Sequence, residues 1–479
     1  MAINDVLEIG RQGLNANRQA LQTTANNIAN ANTPGYSRRR PQLETVNQGT
    51  ILNGVQLGGG VDVKKVVRVH DDFVQNQLVN ENHAFGGARS RSENLSRVEG
   101  VVASQGKALG DMMNKFFDDY RQLSMSPETS ALRNIVQGSA NAVADGFNAM
   151  EGSIDGMKRD LDMRVGACVS EINTYVREIA SLNEGISLAE SRGDIPNDMY
   201  DRRDMAVRDL SQKIDFEATK DQLGQVCIVA GGSTLIQGNR GTELMVQKGG
   251  GDGDTRTPGS LEIWLANAGT GRPITKVIKD GELGGLMFVR DQVLTAAKNH
   301  LDEVAHHFVS SVNKLHEDGV GMDGQAGRGL FNKLGDTAEG AANLVKVNDA
   351  IKQNHELISA GSTRNSIGDN SIATAIADLQ SAKDLPGNGL SGDFGAHTFN
   401  ESLHALVGNV GSHAQRENNS FAHQQAVVGQ LENYRQSVAG VSLEEEAVNL
   451  VQFQTAFNAS AKALKVGDEL FQTILTLKN

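Results

Sequence analysis

The sequence predicts a mainly α, elongated fold with a β-rich insert, in which long antiparallel helices form the body and coiled-coil-like helices form the termini. Three observations predict it. Both ends carry apolar residues every seven positions, an almost unbroken helical stripe runs from Leu132 to Ile186, and after Asp215 the period shortens to two between glycine-rich turns.

The first element runs from Met1 toward Arg40. Leu7, Leu14, Leu21 and Ile28 recur at heptad spacing, with small Gly10, Gly13, Ala20 and Ala25 beside them. Asn4 or Asp5 is placed to cap its start, and Asn32-Thr33-Pro34-Gly35 to end it, because proline removes a donor and disfavours helix in the preceding residue. The last element mirrors the first through Leu443, Leu450, Phe457, Leu464 and Phe471. Ser442 with Glu445 reads as a capping box, further acidic residues suit the helix start, and Lys478 suits its end. Neither helix has an evident cover except the other, and an ordinary helical domain whose termini meet is the plainer reading of the same pattern.

Between them, alternation over Leu43 to Val69 predicts an extended linker. Leu95 to Leu123 makes one face of a long helix, and Ser126-Pro127-Glu128 restarts the pattern with Pro127 at a first helical position. The stripe from Leu132 to Ile186 is a rod, or two helices broken near its glycines. Gly193-Asp194-Ile195-Pro196 ends it, and Met199 to Ile214 supplies a short helix. Short strands follow at 217–219, 225–229, 234–236, 244–246 and 261–265, with Gly249 to Asp254 as a hairpin tip rather than a phosphate loop, since the Gly-Lys-Ser ending is missing. Helix returns at Leu286 to Leu315, at Ile372 to Leu379, and in a long stretch from Phe399 to Val438 antiparallel to the earlier ones. The stretch Gly319 to Asn370 is weakly patterned. The division expected is a terminal assembly domain (1–45 with 440–479), a helical body (46–215 with 280–439) and an outer β-rich domain (216–279, with part of 319–370 as a candidate addition).

Composition and motifs then narrow the function. Aromatic residues make up only 4% of the 479, so cores are aliphatic and thin, as in long helical pairs. A net charge of −13 opposes nucleic acid, and no run is long and apolar enough to span a bilayer. The one basic cluster near a motif, Arg38-Arg39-Arg40, reads as a solvated face or a contact with an acidic neighbouring subunit. Cys168 and Cys227 read as free thiols, not a disulfide scaffold. His300, Glu303, His306 and His307 share one helix, but the zinc-helix pattern is missing and polar surface explains them equally. With no catalytic, cofactor-binding or metal constellation, the reading is a non-enzyme without cofactors.

The stretch Ala25-Asn26-Asn27-Ile28-Ala29-Asn30-Ala31-Asn32-Thr33-Pro34-Gly35-Tyr36-Ser37-Arg38 resembles the N-terminal signature of bacterial flagellar rod, hook and hook-associated axial proteins. The stretch Ser442 to Leu477, with Glu445-Glu446-Ala447-Val448-Asn449-Leu450-Val451-Gln452-Phe453-Gln454 and Ala459-Ser460-Ala461-Lys462, is similar to their C-terminal signature. The Pro-Gly-Tyr-Ser-Arg ending points to the hook–filament junction branch, as do the central stretch Pro196-Asn197-Asp198 to Asp215 and Gly281-Glu282-Leu283-Gly284-Gly285-Leu286 with Arg290-Asp291.

This resemblance implies a structural subunit of the flagellum, exported without a cleaved signal, that forms an extracellular ring between hook and filament. It implies as partners further copies of the chain, the hook protein, a second junction protein, and an export chaperone at the C-terminal helix. The heptad residues are the expected assembly contacts, and Asn26, Asn27 and Asn30 serve as amide bridges or helix caps. Both ends are expected to be mobile until packed against each other and against neighbours, because an isolated seam helix is marginal in water. Three rivals stand beside this reading: a hook or distal-rod subunit of the same family, a secreted adhesin that uses the β-rich insert, and a metal-dependent enzyme at Glu303 and His307.

Overall fold

The computed structural model describes all residues except 1, 47–50, 53–54, 57–58, 249–260, 267–272, 365, 367, 384–396 and 478–479. The hairpin tip read at Gly249 to Asp254 and the terminal Lys478 therefore lie outside the described residues. Helix α1 spans Ala2–Ala29, so Asn4 and Asp5 sit inside its first turns and not at a cap. The linker folds back on itself as β1 (Arg39–Thr45), β2 (Ile51–Leu52), β3 (Val55–Gln56) and β4 (Val61–Arg68). Strand β1 pairs antiparallel with β4, with Arg40 opposite Val67 and Leu43 opposite Val63.

Two very long helices carry the body. Helix α2 (Asp72–Met125) is capped by Asp71, whose carboxylate accepts from the amides of Phe73 and Val74. Helix α3 (Ser130–Ser191) continues unbroken for 62 residues, about 93 Å at 1.5 Å per residue. Its glycines do not interrupt it because Val143, Phe147, Met150 and Ile154 are buried through that stretch, and packing overrides their low propensity. Pro127 is not the first helical residue: it lies in the turn before Ser130, where its carbonyl accepts from the buried Arg133 guanidinium at 2.7 Å. Helix α4 (Asn197–Lys213) then leads into the β-rich part.

That part contains two antiparallel sheets. Strands β5 (Glu217–Lys220), β6 (Val226–Ala230), β7 (Ser233–Gln237) and β8 (Arg240–Gly241) form a meander, and β9 (Leu244–Lys248) pairs with β10 (Leu261–Leu265). Polar side chains on α3 fasten both sheets: Asn173 exchanges two hydrogen bonds with the Leu244 backbone, and Asn183 donates to the carbonyls of Val226 and Gly238.

Helix α5 (Gly281–Met287) crosses α2 so closely that a Cβ on Gly285 would lie 2.7 Å from the carbonyl oxygen of Gly87. The glycine pair in that motif is therefore a packing requirement. One turn of π-helix, Phe288–Val293, joins α5 to α6 (Leu294–Asp318). It carries the buried Arg290, which pairs with Asp162 on α3 at 2.8 Å and donates to the carbonyl of Leu261 on β10 at 3.0 Å.

The weakly patterned stretch after Gly319 is folded around polar side chains of α6. Asn313 exchanges hydrogen bonds with the Phe331 backbone, Asp302 accepts from the amides of Gly340 and Ala342, and His316 lies between the Arg328 carbonyl at 2.6 Å and the Ser359 amide at 3.0 Å. Buried irregular backbone needs such partners. The stretch includes α7 (Ala341–Leu344), α8 (Asp349–Gln353) and a 3-10 turn, His355–Leu357, before α9 (Ser371–Asp378). Helix α10 (Phe399–Ala439), started by a Thr398–Glu401 capping box, returns antiparallel to α2, with Arg91 bound to Glu417 at 2.7 Å. Helix α11 (Leu443–Leu477) closes the chain. Among the described residues no helix is long and apolar enough to cross a membrane.

An aromatic cluster of the core lies where α2, α3, α6 and α10 meet. There the ring of Phe308 packs against Phe116, Phe117, Phe147, Phe331 and Phe399 at centroid distances of 5.5 to 6.0 Å. Replacing Phe308 with alanine should cost about 3–5 kcal/mol, read as a lower urea midpoint at unchanged slope. Burial pushes the His316 pKa from 6.5 down to about 4. A depressed imidazole pKa means that the unfolded chain takes up the proton first, so stability is lost as pH falls from 6.5 toward 4. The loss should reach roughly 3 kcal/mol, and urea titrations at both pH values should show a smaller loss in His316→Gln.

Candidate functional site

Helices α1 and α11 pack antiparallel along most of their lengths. A Cβ on Gly10 would lie 3.4 Å from Leu464, one on Gly13 3.0 Å from the Ser460 hydroxyl, and one on Gly467 2.8 Å from Leu7. Gly10, Gly13, Ala16, Ala20, Thr24 and Asn27 form the buried line of α1. Leu7, Leu14, Leu21 and Ile28 flank that line and are half-buried. The seam is thus built on small residues, which lets the two backbones approach closely. On α11, Leu450, Phe457 and Leu464 are half-buried, whereas Leu443 and Phe471 lie exposed at 55% and 41%.

The pair is pinned to the body at its base, where the signature after α1 makes a tight knot. Gly35 adopts φ +79°, a conformation that favours glycine, and a Cβ there would lie 2.9 Å from the Met205 sulfur. The turn brings the Tyr36 hydroxyl back to donate to the side-chain oxygens of Asn27 at 2.8 Å and Asn26 at 3.0 Å, and burial pushes the Tyr36 pKa up to about 12. Asn30 donates to the Asn26 carbonyl and accepts from Thr33, so it closes the helix end locally. Asn32 and Pro34 are exposed. Asn27 is 1% exposed, accepts from the Arg39 amide, and donates to the Arg39 carbonyl and to Glu446 Oε2 at 3.0 Å.

Glu446 is the charge at the centre of this knot. Its other oxygen takes Arg38 Nε at 2.7 Å, while Arg38 Nη1 reaches Glu445 at 2.6 Å. The Ser442–Glu445 cap is therefore half of a capping box: the Glu445 amide points to the Ser442 hydroxyl at 3.5 Å, but its carboxylate is held by Arg38. The Arg38 backbone donates to the Ala439 carbonyl at the end of α10 and accepts from the Val69 amide at 2.7 Å.

The central motif supplies the opposite wall. Asp198 pairs with Arg39, Asp201 accepts from the Ser37 amide and pairs with Arg68 at 3.2 Å, and Asp204 pairs with Arg68 at 2.6 Å. Arg68 also lies 5.0 Å over the Tyr200 ring. Asn197 donates to the Val66 carbonyl at 2.9 Å. Arg203 turns inward instead, to Asn183 and the Gly224 carbonyl. A nearby cavity of about 20 Å³, lined by Ser37, His70, Asp201, Asp204 and Arg208, is the size of one water.

The basic run Arg38-Arg39-Arg40 was expected to face solvent or a neighbouring subunit. For Arg38 and Arg39 the acidic partners are in the same chain, on α11 and α4. The sequence reading missed Arg39, Arg68, Asp198, Asp201 and Asp204 as one network. The available signal was an arginine run in one segment and regularly spaced aspartates, Asp198, Asp201 and Asp204, in another. Of the histidine group on α6, His300 is held on Ser402 and His306 on the Gly335 carbonyl, while the His306 and His307 rings stay 6.0 Å apart.

Three family models match the chain. The helical domain of flagellar hook-associated protein FlgK covers residues 95–331, the flagella basal body rod protein covers 7–36, and the flagellar basal body rod FlgEFG protein C-terminal region covers 435–477. Flagellar hook-associated protein 1 of Bacillus subtilis (strain 168) is 27% identical, over 98% of this chain and 97% of its own. That of Escherichia coli (strain K12) is 27% identical over 99% and 100%. A solved structure titled as the flagellar hook junction protein FlgK from Burkholderia pseudomallei shares the fold, with a TM-score of 0.67 and 16% identity over 76% of this chain and all of that one. These matches identify a structural component of the flagellum. Over nearly its whole length the chain is similar to flagellar hook-associated protein 1 of these organisms.

Removing one member of a buried ion pair typically costs about 3–5 kcal/mol, because the partner charge is left uncompensated. Arg38→Ala should therefore speed hydrogen exchange of the α11 amides from 446 to 450 by at least tenfold, while α3 amides keep their rates.

Proposed function

We propose that this chain forms the junction ring between hook and filament and that it assembles through the outer face of its terminal helix pair. The observation that carries this reading is an apolar stripe on α11 with no cover: Val448, Val451, Val466 and Leu470 are 51–66% exposed, with Val6 and Ile9 of α1 beside its far end. Among the described residues the only extended partner of α11 is α1. Two helices cannot enclose a core, and covering each such side chain is worth about 1.5–3 kcal/mol. Neighbouring copies are the cover in this reading, and the far end of the pair stays mobile until they arrive.

The chain would divide into the terminal pair (1–45 with 440–479), the helical body (46–215 with 280–439) as the wall of a tube, and the β-rich unit (216–279) facing outward. The hook protein and a second junction protein would border the ring. An export chaperone would cover the α11 stripe before the chain leaves the cell without a cleaved signal, to act outside it.

Val451→Asp with Val466→Asp tests the reading, since both side chains point away from α1. The variant should keep its helicity and be secreted, yet fail to retain filaments on hooks, so that flagellin accumulates in the medium. Normal filament retention would refute the outer stripe as the assembly face.

A further inference from the structure

Two helices whose apolar residues return every seven positions can pair in more than one register. Shifting α11 by one heptad brings Leu14 opposite Gly467, where Leu7 stands, and Ala20 opposite Ser460, where Gly13 stands, so the Gly467 gap is again filled by a leucine and Ser460 again meets a small residue. Apolar packing alone therefore discriminates poorly between neighbouring registers.

The buried polar set does not repeat. Glu446 and Gly467 are the only buried residues among those described on α11, and Glu446 faces Asn27 in the observed register. A shift of seven either way sets Glu446 opposite Ala20 or Pro34, and neither side chain donates a hydrogen bond. Burying a carboxylate without its donors is strongly unfavourable, and a single polar residue in a heptad seam is known to select register at some cost in stability.

We propose that Asn27, Glu446 and Arg38 form a register lock, the fixed point from which α1 and α11 zip toward their far ends. The lock sits at the base of the pair, where the Arg39 and Arg68 contacts to α4 hold it on the body. The partner strands of the zipper are thus presented in one alignment before any neighbouring copy is met. The lock deepens the assembly reading above, and it concerns the chain while still alone.

Disulfide trapping in the dilute, unassembled full-length chain tests it. The pair Gly13→Cys with Ser460→Cys reports the observed register, since a Cβ on residue 13 lies 3.7 Å from that of Ser460. The pair Ala20→Cys with Ser460→Cys reports the register shifted by one heptad, in which Ser460 meets residue 20. With the lock intact the first pair should close roughly tenfold or more faster than the second. In an Asn27→Leu, Glu446→Leu background the ratio should fall toward one. Asn27→Asp, which opposes a second carboxylate to Glu446 without changing size, should lower the ratio in the same direction. A ratio unchanged in both backgrounds, or failure of both pairs to close with the lock intact, would overturn the proposal. Either result leaves the outer-stripe experiment untouched, and failure of that experiment leaves the trapping ratio untouched.

Discussion

A carboxylate removed from water must be fully partnered, and the Glu446 side chain meets that demand with groups from the opposite end of the chain. Arg38 supplies the charge and Asn27 the amide, 408 and 419 residues away. Neither end of the protein can place these groups without the other, so the two termini are tied before any apolar contact is counted. The same turn that aims Arg38 also aims its backbone at α10 and at the hairpin of β1 and β4. One buried charge thereby aligns the helix pair, the hairpin and the end of the body.

The body side of this joint is electrostatic. Arg68 with Asp201 and Asp204 is mostly shielded from solvent, and such partly buried pairs are screened less by salt than surface pairs. The Arg39 pair with Asp198 is different, because that aspartate side chain is largely exposed. The joint thus combines a shielded centre with a solvated rim. Beyond it the long helices carry the load by ordinary packing, helped by polar side chains that fasten irregular segments: Asn173 and Asn183 hold the sheets, and Asn313, Asp302 and His316 hold the stretch after Gly319.

The terminal pair combines two features that usually conflict. Its inner seam is made of glycine, alanine and threonine, which bury little apolar area, and its larger side chains lie on the flanks or outside. A pair built this way buries little apolar area of its own and leaves Val448, Val451, Val466 and Leu470 exposed. The inner three of the five heptad positions on α11 serve the pair, and Leu443 and Phe471 do not.

The elongated α fold, the β-rich insert, the long helices and the matching of the two ends were legible from periodicity, because burial on one side of a helix or strand imposes its period on the residues. The signature residues were legible as a family resemblance, but not their roles: nothing in the order Asn27, Tyr36, Arg38 says that they converge on a glutamate more than 400 positions later. The fold of 319–370 was illegible for a related reason, since its backbone is satisfied by side chains of α6 and not by any local repeat. What the sequence determined by itself was which faces must be covered. Which group covers each was decided only by the tertiary structure, because a hydrogen bond or ion pair depends on distance in space, and the chain order carries no record of that distance.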